Sequence, residues 1–424
     1  MINSLEKLFK TIKLSWIDSF PDIETSNEFT KLISIFPNLT EIFQDAREKN
    51  NDEFRRTIRH IFRSYKIFFL IKNGEFLHET LSQESISKIR EKVLNQHLKN
   101  QKFIPIILMY HDIGRYIDNK KHPTQSYKLV SSMDLLKPFK LSDTEKLIIE
   151  KIIHYHLLIA TIYTGESTFY GIYSLLKDTE FIELLSIENT VNIFIDFLEV
   201  FTFIDILGYY YTNIFDHYIK YYEEISSKLK EILNYFTDKE FALNKAEEYS
   251  YDWLEWRLAG ALRIFQFVET KPHLTKEFYY NKLIESVKDS KHQLLSNHDW
   301  NSLKKEYLYH SYKIQMRYSL ALLMILAFGS FQRMGLKIDT GISHKLILFW
   351  VLLSKEVKSR SIKHSKSLWN IYLDGVPHWS KLNENFINKI TEDKIQFIIE
   401  NAKQEFEDTR QEYSLYLNFS QITD

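Results

Sequence analysis

FIPIILMYHDIGR, residues 103–115, reads as an apolar helix that carries a His-Asp doublet at its end and runs into Gly114. Four further positions draw attention together with His111 and Asp112: His60, His122, His156 and Asp205. Together they make a nitrogen-and-oxygen donor set without sulfur. Such a set suits Mn, Fe, Co, Ni, Zn or Mg rather than Cu(I) or an iron–sulfur cluster.

The segments that carry these residues are predicted to be helices. From Glu53 to Ile71, the residues Phe54, Ile58, Ile61, Phe62, Tyr65, Phe68 and Phe69 recur at helical spacing, and Asn73-Gly74 ends the helix. A second helix is expected over Ser85–Leu98. Beyond the doublet the loop Asp118–Lys121 is polar, and Pro123 suits the first turn of a helix through Met133. Ser142 and Glu145 form a capping-box pattern ahead of a helix that holds Ile149, Ile152, Ile153 and His156. Val191–Tyr211 is apolar almost all round, as befits a central buried helix.

Facing follows from the helical repeat. His156 lies seven residues after Ile149, so the two share a face, whereas His154 falls near the opposite side. The expectation is that His156 points inward and His154 outward. Asp205 sits in a helix with almost no polar face, so its carboxylate must be paired, protonated or coordinating, because an isolated buried charge is very costly. His60 lies to one side of its helix's apolar face, on a stripe with Thr57, Ser64, Ile67 and Ile71. That stripe would be buried if the helix packs on two sides.

Composition bounds the rest. Ten glycines and seven prolines among 424 residues are few, and tight turns consume both, so an all-α fold of long helices is expected. The chain has no cysteine, which excludes disulfides and thiolate metal sites. A net charge of −1 argues against nucleic acid as the partner. The N-terminus shows no secretory signal, and the apolar run Tyr318–Phe331 falls short of the roughly 20 residues a membrane span needs, so a cytoplasmic protein without a membrane partner is expected. The expected organisation is an N-terminal helical segment (1–50), a metal-binding catalytic domain (51–240) and a helical C-terminal domain (241–424). Breaks in that last part fall around Lys271-Pro272, Gly335–Gly341 and Gly375–His378.

The order His60, YHDIGR (Tyr110–Arg115), His122, His156, Asp205 resembles the H…HD…H…H…D signature of the HD superfamily of metal-dependent phosphohydrolases. HLLIATIY (His156–Tyr163) and VFTFIDILGYY (Val200–Tyr210) are similar to strings in the uridylyl-removing HD module of bifunctional PII-modifying enzymes. The resemblance covers roughly residues 50–215. It implies an HD-type helical bundle in which His60, His111, Asp112 and Asp205 hold one divalent metal ion. Asp112 would bridge to a second ion completed by His122 and His156. The basic residues that follow the HLLM string of those enzymes are replaced here by Thr164-Gly165-Glu166, so the resemblance does not carry their substrate over.

The expected function is hydrolysis of a phosphomonoester or phosphodiester, with a nucleotide or nucleotidylated substrate implied by the resemblance alone. Asp112 would bridge the metals or accept a proton, and Arg115 would either contact phosphate or form a structural salt bridge. Lys120, Lys121 and Lys128 read as solvated surface, and His298-Asp299 as a surface doublet without framing ligands. Trp253, Trp256 and Arg257 read as core packing, and Arg333 and Lys337 as charges near the end of the Tyr318–Phe331 helix, with Arg317 at its start. Two other readings use the same residues. One is a non-catalytic metal or nucleotide sensor whose C-terminal half engages a protein; the other is a diiron oxygenase.

Overall fold

Two terminal signals frame the helix that positions His60. Helices α1 (Ile2–Thr11), α2 (Leu14–Ser19), α3 (Asn27–Ile35) and α4 (Thr40–Lys49) lead into α5 (Asn51–Asn73). The Asn50 side chain accepts from Glu53 N at 3.3 Å to start α5, and Gly74 ends it at φ 76°, a left-handed conformation that glycine adopts without steric cost. The structure is a computed structural model and describes residues 1–210, 214–251, 292–316, 331–332, 335–336, 344–363, 366–375 and 390–420.

The chain forms two compact units, one from Met1–Ile159 with Glu183–Lys230, the other from Ala160–Ile182 with Glu231–Asp424. In the first unit, α5 packs against α1, α2 and α4 on one side. On the other it meets α6 (Gln83–Lys99), α7 (Phe103–Tyr110) and α13 (Thr190–Leu207). Burial on two sides explains why Thr57, Ser64, Ile67 and Ile71 are all out of water along with the main apolar face. Ile58, Ile61, Phe62 and Tyr65 are fully buried, and each such side chain contributes roughly 1.5–3 kcal/mol. The N-terminal segment belongs to this core: Arg59 donates to the carbonyls of Asp18 at 3.1 Å and Phe20 at 2.8 Å, and Arg63 pairs with Asp18.

Helix α8 (His122–Ser132) and α9 (Asp143–Tyr155) complete the site, and the Ser142–Glu145 capping box starts α9 as its sequence pattern indicates. Helices α10 (Leu158–Thr164), α11 (Tyr173–Lys177) and α12 (Thr179–Leu185) come next along the chain, before α13, which is buried nearly all round. One stretch among the described residues, Asp143–Thr164, is long and apolar enough by length and composition to cross a membrane, yet 67% of it is buried inside the protein, as a core helix is.

The chain is mostly helical, and the second unit adds strands that a purely helical reading leaves out. Its four-stranded sheet has the order β1 (Ile314–Met316), β4 (Trp369–Asp374), β6 (Glu412–Asn418), β5 (Lys403–Glu407). A two-stranded ladder pairs β2 (Phe331–Gln332) with β3 (Gly335–Leu336). Strand β4 runs parallel to β1 and β6, while β5 is antiparallel to β6. The period-two signal is there in WNIYLD: Trp369, Ile371 and Leu373 are buried, and the residues between them are less so. Trp253, Trp256, Arg257, Arg317, Arg333, Lys337 and most of the Tyr318–Phe331 run lie outside the described residues.

Candidate metal centre

Six side chains from separate parts of the chain meet in the first unit. His60 comes from the first half of α5, and His111 and Asp112 follow the end of α7. His122 opens α8, His156 caps α9, and Asp205 lies in the last turn of α13. All six are buried, from 0% exposed for His111 to 8% for His122.

They divide into two triads, His60/His111/Asp205 and Asp112/His122/His156, and within each the potential ligand atoms lie within 4.8 Å of one another. Asp205 Oδ1 is 2.8 Å from His60 Nε2 and 3.3 Å from His111 Nε2. Asp112 Oδ1 is 3.2 Å from His122 Nε2 and 3.9 Å from His156 Nε2. The other oxygen, Asp112 Oδ2, faces the first triad, 3.6 Å from His111 Nε2 and 3.9 Å from His60 Nε2. One carboxylate therefore reaches both groups.

The backbone sets how three of the rings present themselves. His111 Nδ1 donates to the carbonyls of Ile107 at 3.3 Å and Leu108 at 3.2 Å. His122 Nδ1 donates to Asn119 O at 3.0 Å, and His156 Nδ1 to Ile153 O at 2.8 Å. A carbonyl only accepts, so Nδ1 carries the hydrogen and Nε2 of the neutral ring is a lone pair. Three lone pairs thus aim at carboxylate oxygens, acceptor against acceptor, which is repulsive unless a cation or proton lies between them. His111 Nε2 and Asp112 Oδ1 make no hydrogen bond although both are buried. Buried orphans of this kind are rare and require an explanation. A divalent cation among these donors supplies one, and oriented imidazoles backed by carbonyls are the usual support for such a site.

The electrostatics agree. Burial pushes the Asp112 carboxyl up, but Arg115, His111 and His122 outweigh it and hold the group well below the ordinary carboxylate range. Asp205 is likewise lowered against its burial, by its close contacts with His111 and His60. Burial and the neighbouring His122 and His111 push His156 down to about 3, so the ring is neutral and ready to donate its lone pair. His111 is raised, because Asp112 and Asp205 together exceed the effect of its burial.

Behind the ligand atoms lies a polar brace. Arg115 Nη1 donates to Asp112 Oδ2 at 3.0 Å and to the Tyr209 hydroxyl at 2.9 Å, and Arg115 Nε lies 3.5 Å from Glu53 Oε2. Asn119 Nδ2 donates to Glu53 Oε1 at 3.1 Å. Arg115 thus makes the salt bridge that was one of its two expected roles. The Tyr209 ring stacks on His60 at 4.2 Å and 25°. Gly208 beside it touches the first triad: a Cβ there would come within 2.2 Å of Ser64 Oγ and 2.8 Å of His60 Cε1, so only glycine lets the end of α13 approach α5 this closely.

One facing expectation is overturned. His154, expected to face solvent, is 1% exposed; its ring stacks on Tyr127 at 4.5 Å and 5°, and its Nε2 lies 3.4 Å from Thr124 Oγ1. Helix α9 packs against α7, α8 and α13, so its opposite face is covered too, and even Lys151 is buried. Lys120 and Lys128 are exposed, as a solvated surface requires, whereas Lys121 is half-buried. In the second doublet, His298 Nε2 pairs with Glu306 at 2.9 Å, while exposed Asp299 caps a helical turn through Ser302 N at 2.7 Å.

Sequence reasoning missed Glu53, Asn119 and Tyr209. Two of them were within reach: Glu53 precedes His60 by seven residues on one face of α5, and Tyr209 follows Asp205 by four within the Val191–Tyr211 helix expected from sequence, although α13 ends at Leu207. No family model matches the chain, and no curated protein or solved structure matches it either.

Proposed function

We propose that the first unit is the catalytic part of a metal-dependent phosphoric ester hydrolase of the HD type, acting on a nucleotide or nucleotidylated substrate. The observation that carries this reading is the shared carboxylate: Asp112 turns one oxygen toward each of two buried triads whose remaining donors are imidazole or carboxylate. His60, His111 and Asp205 would hold one divalent ion and His122 and His156 another, with Asp112 between them. Bound there, such ions supply Lewis acidity toward a phosphoryl oxygen and acidify water near neutral pH.

The chain's own residues do the rest. Backbone carbonyls keep the Nε2 atoms of His111, His122 and His156 directed at the centre, and burial keeps His156 unprotonated. Arg115 holds Asp112 Oδ2 in place and adds a fixed positive charge beside a site that must accept phosphate. The nucleotide preference is supported only by the sequence resemblance. The test is a screen of nucleoside monophosphates, cyclic nucleotides, dinucleotides and an aryl phosphodiester, run with Mn, Co, Ni, Fe, Zn and Mg in turn. Turnover that is lost on chelation and in Asp112→Ala and Asp205→Ala supports the reading. Tight metal and nucleotide binding without turnover would replace it with a sensor, and oxygen consumption by an iron-loaded sample with an oxygenase.

A further inference from the structure

Tyr209 touches His60 directly and reaches Asp112 through Arg115, with different parts of one side chain. Its ring lies against His60 at 4.2 Å, nearly parallel. Its hydroxyl accepts from Arg115 Nη1 at 2.9 Å, and that same nitrogen donates to Asp112 Oδ2 at 3.0 Å. The residue is placed for this by α13: it follows Asp205 by four residues, and Gly208 brings the helix end against His60 and Ser64. The Gly208 carbonyl is held in turn by Arg63 Nε at 3.0 Å. Tyr209 is less buried than the ligands it contacts.

We propose that Tyr209 is a positioning residue that couples the two triads, its ring setting the orientation of His60 and its hydroxyl, through Arg115, setting that of Asp112. The inference rests on the metal-centre reading and adds a division of labour within one side chain. An aromatic face against an imidazole limits rotation of the His60 ring, whose Nδ1 makes no hydrogen bond. A hydroxyl that shares Arg115 Nη1 with Asp112 fixes where that guanidinium sits, and hence which way the two Asp112 oxygens point. Outer partners of this sort typically change metal affinity by about 10–100-fold when removed.

The two functions separate by substitution. Tyr209→Phe keeps the ring and loses the hydroxyl; Tyr209→Leu loses both. The readouts are Co(II) binding isotherms and the visible absorption of the cobalt-loaded full chain, with thermal melting of the metal-free protein to confirm folding. Tyr209→Phe is expected to weaken most the ion that has Asp112 as its carboxylate beside His122 and His156, by about tenfold, and to change the first ion, which also has Asp205, less. Tyr209→Leu is expected to weaken both and to shift both spectra. Wild-type affinities and spectra in both variants would overturn the coupling while leaving the metal centre standing. Identical losses in Phe and Leu, tracking a lowered melting temperature, would reduce Tyr209 to packing. A wild-type chain that binds no cobalt would remove the metal-centre reading and this inference together.

Discussion

The chain contains the His-Asp pair twice, and the two copies have opposite fates. His111 and Asp112 end an apolar helix, are 0% and 1% exposed, and are met by four more ligand-type side chains from distant segments. In the second unit Asp299 is exposed and His298 half-buried. There the histidine pairs with Glu306 and the aspartate caps a helical turn. The same two residues serve as a local cap where water is at hand and as an electrostatic problem where it is not. The difference lies in desolvation: a buried carboxylate has to find partners, and a cluster of partners makes a site.

The largest effect should come from the buried aspartate. Asp112→Ala removes the carboxylate that faces both triads, so metal affinity is expected to fall by about 100-fold or more, read as lost metal content by elemental analysis. Full metal occupancy in that variant would erase the distinction between the doublets. The brace comes next. Arg115→Gln leaves the buried Asp112 carboxylate without its guanidinium, and breaking a buried pair in this way costs about 3 kcal/mol. Chemical denaturation of the metal-free protein reads this directly; a loss below about 1 kcal/mol would mean that water reaches the pair.

A pH series sharpens the comparison. His156 in the unfolded chain takes a proton near pH 6.5, whereas in the fold it does so only at about 3. Between those values the unfolded state holds the extra proton, so this group makes the metal-free protein less stable as pH falls through that window. The slope from one such group is at most roughly 1.4 kcal/mol per pH unit. His156→Gln should flatten the melting-temperature profile below pH 6.5, and an unchanged profile would refute the assignment. His111, whose folded value is raised, acts in the opposite sense: it stabilises most below pH 6.5 and loses that contribution as pH rises through its folded value.

His154 should matter less, and in a different way. It packs on Tyr127 beside the centre rather than within either triad. His154→Ala is expected to cost about 2 kcal/mol of stability while leaving metal stoichiometry intact. Loss of a metal in this variant would move His154 into the coordination sphere. The smallest effect belongs to the surface doublet: His298→Ala and Asp299→Ala should leave metal content at the wild-type value, and any drop would place a ligand in the second unit.

Much of this organisation could be read from the residues themselves. Helical spacing over Glu53–Ile71, the Asn73-Gly74 stop and the Ser142–Glu145 box all correspond to helix limits in the structure, because caps and periodicity are local properties. The absence of cysteine confined any metal to imidazole and carboxylate. The short strands of the second unit escaped a helical reading, since a period-two signal over six residues such as WNIYLD competes with the helical pattern around it. What only the tertiary structure decided was company. Helical phase tells which face of α9 His154 occupies, but the neighbouring helices decide whether that face is wet. The resemblance to the HD signature implies that His60 and Asp205, 145 residues apart, belong together; the close approach at Gly208 and the packing of α13 on α5 bring their side chains to 2.8 Å. Sequence determines which donors exist and in which helices, whereas their distances follow from how those helices exclude water from one another.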